Sequence, residues 1–145
     1  MKPIRIFTHV ACEPPGYIQT LLDRLGYAWE QVCLYEGEHV PMDVDSASAL
    51  VFMGGPGDVN EPTDWMEKEF ELIRLARERG VPMLGICLGG QLMSKALGGR
   101  VWQGEAMEVG WHNVDLLPQS LERLGRSQPV HGHSLFVALQ DIGGL

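Results

Sequence analysis

The segment that most constrains this chain runs from Val81 to Gln91. An apolar stretch enters Gly85-Ile86-Cys87-Leu88-Gly89-Gly90-Gln91, and the residues that follow carry a helical pattern. A buried strand that hands over to a helix through Gly-x-Cys-x-Gly is the thiol version of a nucleophile elbow. Small residues flank the turn so that the backbone bends sharply and the nucleophile stands at its apex. The helix aims its unpaired N–H groups and positive dipole end at the sulfur, which favours negative charge there. The foremost of those groups, the N–H of Leu88, is also placed to bind an oxyanion. Cys87 is therefore the candidate nucleophile; a plain core cysteine does not require glycine at both −2 and +2.

A strand passing into a helix is one link of an α/β alternation, and the chain supplies others. Residues 4–10 read as a strand, broken by Pro14-Pro15-Gly16. Residues 17–25 place Ile18, Leu21, Leu22 and Leu25 at helical spacing, with Gly26 just past the end. A weaker strand is expected at 32–35 and a loop at 36–46. Residues 49–53 form a continuous apolar run, as expected of a strand buried on both faces. Residues 63–79 give the clearest helix: Met66, Phe70 and Ile73 form its stripe, Asp64 and Glu67 a capping-box-like start, and Gly80 its stop. Strand 81–87 and helix 88–97 complete the pattern. Such alternation predicts a mostly parallel sheet with helices on both faces. Beyond Gly99 the pattern weakens: 100–102 and 109–116 fit strands, 120–124 a helical turn, and 126–145 shows little regularity. The expectation is one domain over 1–145 whose C-terminal part looks incomplete.

The glycines concentrate in loops, and the second such loop is Gly54-Gly55-Pro56-Gly57, again at the end of a buried strand. Sites in open α/β sheets form at the carboxyl ends of strands, so this loop and Cys87 are expected at one crevice. Backbone N–H groups of a glycine loop approach a ligand closely, which makes Gly55 a second candidate oxyanion donor. Cys12 and Cys33 have no motif around them and read as small buried residues. Three widely spaced cysteines argue against a disulfide framework and a thiolate zinc site, and no cluster has metal-ligand spacing.

Charge and hydropathy narrow the function classes. Eleven basic against nineteen acidic residues leave a net charge of −8, a field that repels nucleic-acid phosphates and anionic lipid. The longest apolar runs, 49–53 and 135–139, fall far short of the roughly 20 residues of a membrane span. The start of the chain carries no signal-peptide pattern, so a cytoplasmic protein is expected.

In combination, the Gly-Gly-Pro loop, Gly85-Ile86-Cys87-Leu88-Gly89-Gly90-Gln91, Ala96-Leu97-Gly98-Gly99-Arg100-Val101 and Glu108-Val109-Gly110-Trp111 resemble the class I, cysteine-triad glutamine amidotransferases, in particular stand-alone domains similar to the amidotransferase part of GMP synthetase. The likeness covers roughly residues 4 to 116. It implies a three-layer, flavodoxin-like fold and hydrolysis of the glutamine side-chain amide through a thioester on Cys87, without metal or organic cofactor. Gly55 and Leu88 would hold the oxyanion. Gln91, Gly57 and Glu108 would lie on the substrate side, although Glu108 reads equally well as surface charge. Gly132 joins them through His131-Gly132-His133, which is similar to a segment beside the bound glutamine in that family. The ammonia is released or passed to a synthetase or other acceptor partner.

The family's general base sits in a His-Pro-Glu motif, and none of the five histidines here is followed by proline. Residues 131 and 133 are poorly spaced to replace it, and His9, His39 and His112 read as structural. Two other readings stand beside the first. Gly-x-Cys-x-Gly-Gly also resembles the elbow of dienelactone hydrolase, though that leaves Gln91 and the Gly54–Gly57 loop without a role. The third reading is a non-catalytic remnant that binds a ligand or partner in the same crevice.

Overall fold

The computed structural model describes residues 1–103 and three two-residue strands beyond them. In chain order the elements are β1 (Ile4–Thr8), α1 (Tyr17–Leu25), β2 (Trp29–Cys33), β3 (Ala49–Phe52), α2 (Asp64–Arg79), β4 (Met83–Ile86), α3 (Leu88–Ala96), β5 (Asn113–Val114), β6 (Gly132–His133) and β7 (Val137–Ala138). The chain divides into two compact units, Met1–Trp102 with Phe136–Leu145, and Gln103–Leu135. The first holds a five-stranded sheet in the order β2-β1-β3-β4-β7, and the second the antiparallel pair β5-β6. Strands β1 to β4 pair in parallel, while β7 joins β4 antiparallel. The parallel order β2-β1-β3-β4 fits the sheet that the alternation predicts, and it is the doubly wound, flavodoxin-like arrangement that the family resemblance implies.

Alternation along each strand sorts the core into two faces. Phe7, Leu50, Phe52 and Met83 point to the side covered by α2 and α3, where they meet Phe70, Leu72, Ile73, Leu92 and Met93. Ile6, Val51, Met53 and Ile86 point to the other side, against Ile18 and Leu22 of α1. Phe7 and Phe52, neighbours in register, stack with centroids 4.9 Å apart. The register also levels the strand ends: Phe7 lies beside Phe52, and Phe52 beside Gly85. The residues that follow β1, β3 and β4 therefore emerge at one edge of the sheet.

Element boundaries follow the sequence closely where a strong stop exists. Helix α1 ends at Leu25 because Gly26 adopts φ 73°, returning its N–H to the carbonyls of Asp23 and Leu22. Helix α2 begins one residue later than expected. Thr63 is its N-cap, without a side-chain cap bond, and Asp64 and Glu67 lie in the first turn, where the helix dipole favours them. Three expectations need correction. β2 lies at Trp29–Cys33 rather than 32–35, because it pairs along β1 from Ile4, and Leu34–Glu36 is a 3-10 turn. Residues 100–102 are not a strand. The tail expected to be irregular contributes β6 and β7. Of the expected strand at 109–116 only Asn113–Val114 is described as one, and the helical turn at 120–124 lies outside the described residues.

Candidate active site

Cys87 is the residue that turns β4 into α3. It takes φ 51° and ψ −111° and is the one non-glycine residue at positive φ among the described residues. A side chain in that region costs of order 1–3 kcal/mol and is held only where the surroundings enforce it. Here the enforcement is packing. A Cβ on Gly85 would lie 2.6 Å from the backbone of Gly89 and Gly90, and one on Gly89 would lie 2.0 Å from the carbonyl oxygen of Phe52. The glycines thus let helix and strand touch backbone to backbone, while the turn itself is made by the cysteine. Cys87 is exposed, whereas Ile86, Leu88, Gly89 and Gly90 around it are buried.

The loop after β3 meets this elbow. A Cβ on Gly54 would stand 3.6 Å from Cβ of Cys87, and one on Gly55 3.6 Å from Cδ2 of Leu88. The structure therefore brings Gly55, Leu88 and Cys87 together, as the sequence suggests. Gly57 is exposed and rests on the start of α2, where an added Cβ would strike Cε of Met66 at 2.2 Å.

Gln91 follows one turn after the nucleophile, its N–H donating to the Cys87 carbonyl at 3.1 Å. The two residues line one cleft of about 490 Å³ with Gly90, Ser94, Arg100, Val101 and Trp102. Asn60 ties down one wall by donating to the carbonyl of Val101 and accepting from Nζ of Lys95 on α3. The cleft thus offers an exposed thiol, a carboxamide and a guanidinium along an apolar wall, a size and mixture suited to a small polar metabolite. Ser94, Arg100, Val101 and Trp102 line this cleft and were not among the candidate site residues from the sequence.

Gly132 pairs with Val114 inside the second unit. Glu108 and His131 lie outside the described residues, as do Gly110 and Trp111. Cys12 and Cys33 are corrected: Cys12 is exposed in the turn after β1, and Cys33 is half-buried at the end of β2. Among the described residues no group of histidine, cysteine and acidic side chains could hold a metal, and no helix is long and apolar enough to cross a membrane.

The larger surprise lies beneath the glycine loop. His9, one residue past β1, and Glu69, in the middle of α2, form a pair whose side chains are fully buried. Nε2 of His9 sits 3.1 Å from both carboxylate oxygens, and Nδ1 sits 3.1 Å from the carbonyl oxygen of Gly54. The imidazole also stacks on Trp65 at 5.1 Å. Burial alone would lower the His9 pKa, yet it is raised, through the hydrogen bond and charge of Glu69 and the carbonyls of Gly54 and Met53. Burial raises that of Glu69, against the opposing effect of His9. Burial favours a neutral carboxyl beside a neutral ring, and the hydrogen bond and charge of Glu69 favour a protonated ring beside a carboxylate. The carbonyl of Gly54 only accepts, so Nδ1 carries its own proton in either arrangement.

Comparison with known proteins agrees with this fold. The family model for class-I glutamine amidotransferases matches residues 17–141. The glutamine amidotransferase-like protein YfeJ of Salmonella typhimurium is 32% identical over 138 residues, 90% of this chain and 54% of YfeJ. The glutamine-hydrolysing GMP synthase of Aeropyrum pernix is 37% identical over 81 residues, 56% of this chain and 14% of that enzyme. A crystal structure of a glutamine amidotransferase from Methylobacillus flagellatus superposes with a TM-score of 0.83 at 32% identity, over 96% of this chain and 58% of that one. The chain thus spans little more than half the length of YfeJ and of the Methylobacillus protein.

Proposed function

The chain belongs to the class-I glutamine amidotransferase family, and from that premise we propose that Cys87 is the nucleophile of glutamine-amide cleavage in the cleft it shares with Gln91. Its thiolate attacks the carboxamide carbon, and the carbonyl electrons move onto oxygen, where the N–H groups of Gly55 and Leu88 stabilise them. As the carbonyl re-forms, the C–N bond breaks, and the nitrogen, taking from solvent the proton the thiol gave up, leaves as ammonia. Water then attacks the thioester carbon, releasing glutamate and returning the thiol. Gln91 holds the substrate from one turn along α3, with Gly57, Glu108 and Gly132 as further substrate-side positions by family likeness. The ammonia goes to solution or to a synthetase or other acceptor. The observation that carries this reading is the exposed thiol at φ 51° facing the Gly54–Gly55 loop. Neither Gln91 in the cleft nor the glycine loop against the elbow has a role in the esterase alternative.

Proton handling is the weak step. The sequence contains no His-Pro-Glu to protonate the leaving nitrogen and activate water, and each such function typically contributes 10²–10⁴-fold. Two results are therefore expected from the 145-residue chain. Ammonia release from glutamine should match that of Cys87→Ser. Meanwhile the chloroketone analogue of glutamine should alkylate Cys87 with one equivalent, more slowly when glutamine is present. Ordinary turnover that vanishes in Cys87→Ser would overturn the impairment. Labelling at Cys12 or Cys33, or labelling indifferent to glutamine, would overturn the glutamine site itself.

A further inference from the structure

Two glycines flank the peptide that joins Gly54 to Gly55, and neither has a Cβ to oppose rotation of that peptide. A planar trans peptide points its carbonyl and its N–H in opposite directions. Holding the Gly54 oxygen toward His9 therefore holds the Gly55 N–H facing away from His9. Turned over, the same peptide would present an oxygen where the N–H should stand, and that oxygen would repel developing negative charge. The hydrogen bond from Nδ1 of His9 to the Gly54 carbonyl, at 3.1 Å, opposes that rotation. The ring is itself fixed on three sides: by both oxygens of Glu69, by Trp65, and by the backbone of Gly55, on which a Cβ would fall 2.6 Å from Cβ of His9.

We infer that His9, clamped by Glu69, is a positioning residue that sets the direction of the Gly55 N–H and so keeps it available as an oxyanion donor. This role rests on the glutamine-hydrolysis reading of the site, and it adds to that reading a residue that touches no substrate.

Two substitutions separate the two ends of the ring. In His9→Asn the side-chain amide stands near the place of Nδ1 and can still donate to Gly54. In His9→Gln it stands near the place of Nε2, so it keeps Glu69 and loses Gly54. The readout is the rate of Cys87 alkylation by two reagents. The chloroketone analogue of glutamine passes through a tetrahedral oxyanion at its ketone before the thiolate displaces chloride; iodoacetamide reacts by direct displacement and needs no such support.

His9→Gln should slow the chloroketone by about 10²-fold or more, the loss expected when one oxyanion donor is removed, with the iodoacetamide rate unchanged. His9→Asn should recover most of the chloroketone rate. Equal chloroketone rates in wild type and His9→Gln would overturn the role, and so would a parallel loss with both reagents, which marks a merely structural histidine. Failure of the parent reading shows earlier and separately: in the unsubstituted chain, glutamine would then give no protection against the chloroketone, and the positioning role would fall with it. Should His9→Gln not fold, ¹⁵N spectra of the unsubstituted chain decide. A proton on Nδ1 of His9 supports the role, and a bare Nδ1 overturns it.

Discussion

Truncation of Glu69 to alanine is expected to destabilise the fold by about 3–5 kcal/mol, the range for breaking a buried ionic pair from one side. The carboxylate has no access to solvent, and its removal leaves Nε2 of His9 without a partner in the same dry space. Glu69→Gln should cost far less, because its amide can donate to Nε2 of a neutral ring whose Nδ1 still serves Gly54. The two variants should also differ in pH dependence. In the folded state the pKa values of both groups are raised, that of His9, against the lowering effect of burial, by the bond to Glu69, and that of Glu69 by burial. In the unfolded chain Glu69 has lost its proton above its ordinary value of 4.5, and His9 loses its own above 6.5. From about pH 6.5 upward the folded state therefore binds one proton more than the unfolded state. Stability falls there as pH rises toward the raised folded value, at a limiting slope of about 1.4 kcal/mol per unit. Urea midpoints between pH 6 and 8 should decline for wild type and not for Glu69→Gln. Parallel profiles for the two proteins would show that Glu69 does not raise the pKa of His9.

This pair also shows how far the sequence could be read. Helix α2 was legible from its apolar stripe at Met66, Phe70 and Ile73, and Glu69 falls inside the same stripe, three residues after Met66 and one before Phe70. A carboxylate on a buried stripe needs a partner, and His9 stands just past a buried strand, at the edge where sites of parallel sheets form. Both signals were present. What the sequence lacked was the pairing, because residues sixty positions apart share no local pattern. The elbow was legible for the opposite reason: strand, cysteine, glycines and helix are contiguous, and the physics that joins them is local. The cleft wall lies between these cases. Arg100, Val101 and Trp102 line the cleft where the chain after α3 turns back, with Asn60 bonded to both Val101 and Lys95, and such long-range hydrogen bonds leave no periodicity. The β2 boundary moved for a related reason, since a strand at the sheet edge takes its register from its neighbour β1.

Gly89→Ala sets a local preference against a tertiary contact, and the contact should win. Alanine is the better helix former by about 1 kcal/mol, and Gly89 lies in the first turn of α3. Yet its methyl group would stand 2.0 Å from the carbonyl oxygen and 2.6 Å from the carbonyl carbon of Phe52. Those atoms belong to β3, hydrogen-bonded between β1 and β4, so they cannot swing aside as a flexible side chain would. Overpacking against side chains typically costs 1–3 kcal/mol; against a fixed backbone the net loss should reach about 3 kcal/mol even after the helix-propensity gain. The damage should extend to the chemistry. The chain runs on from the end of β3 at Phe52 into Met53, Gly54 and Gly55, so pushing α3 off Phe52 separates Leu88 and Cys87 from the glycine loop. Gly89→Ala should therefore lower the urea midpoint and, in whatever fraction remains folded, slow the chloroketone more than iodoacetamide. A midpoint at or above wild type would show that α3 does not rest on the Phe52 carbonyl. The close approach of helix and strand would then no longer account for the positive φ of Cys87.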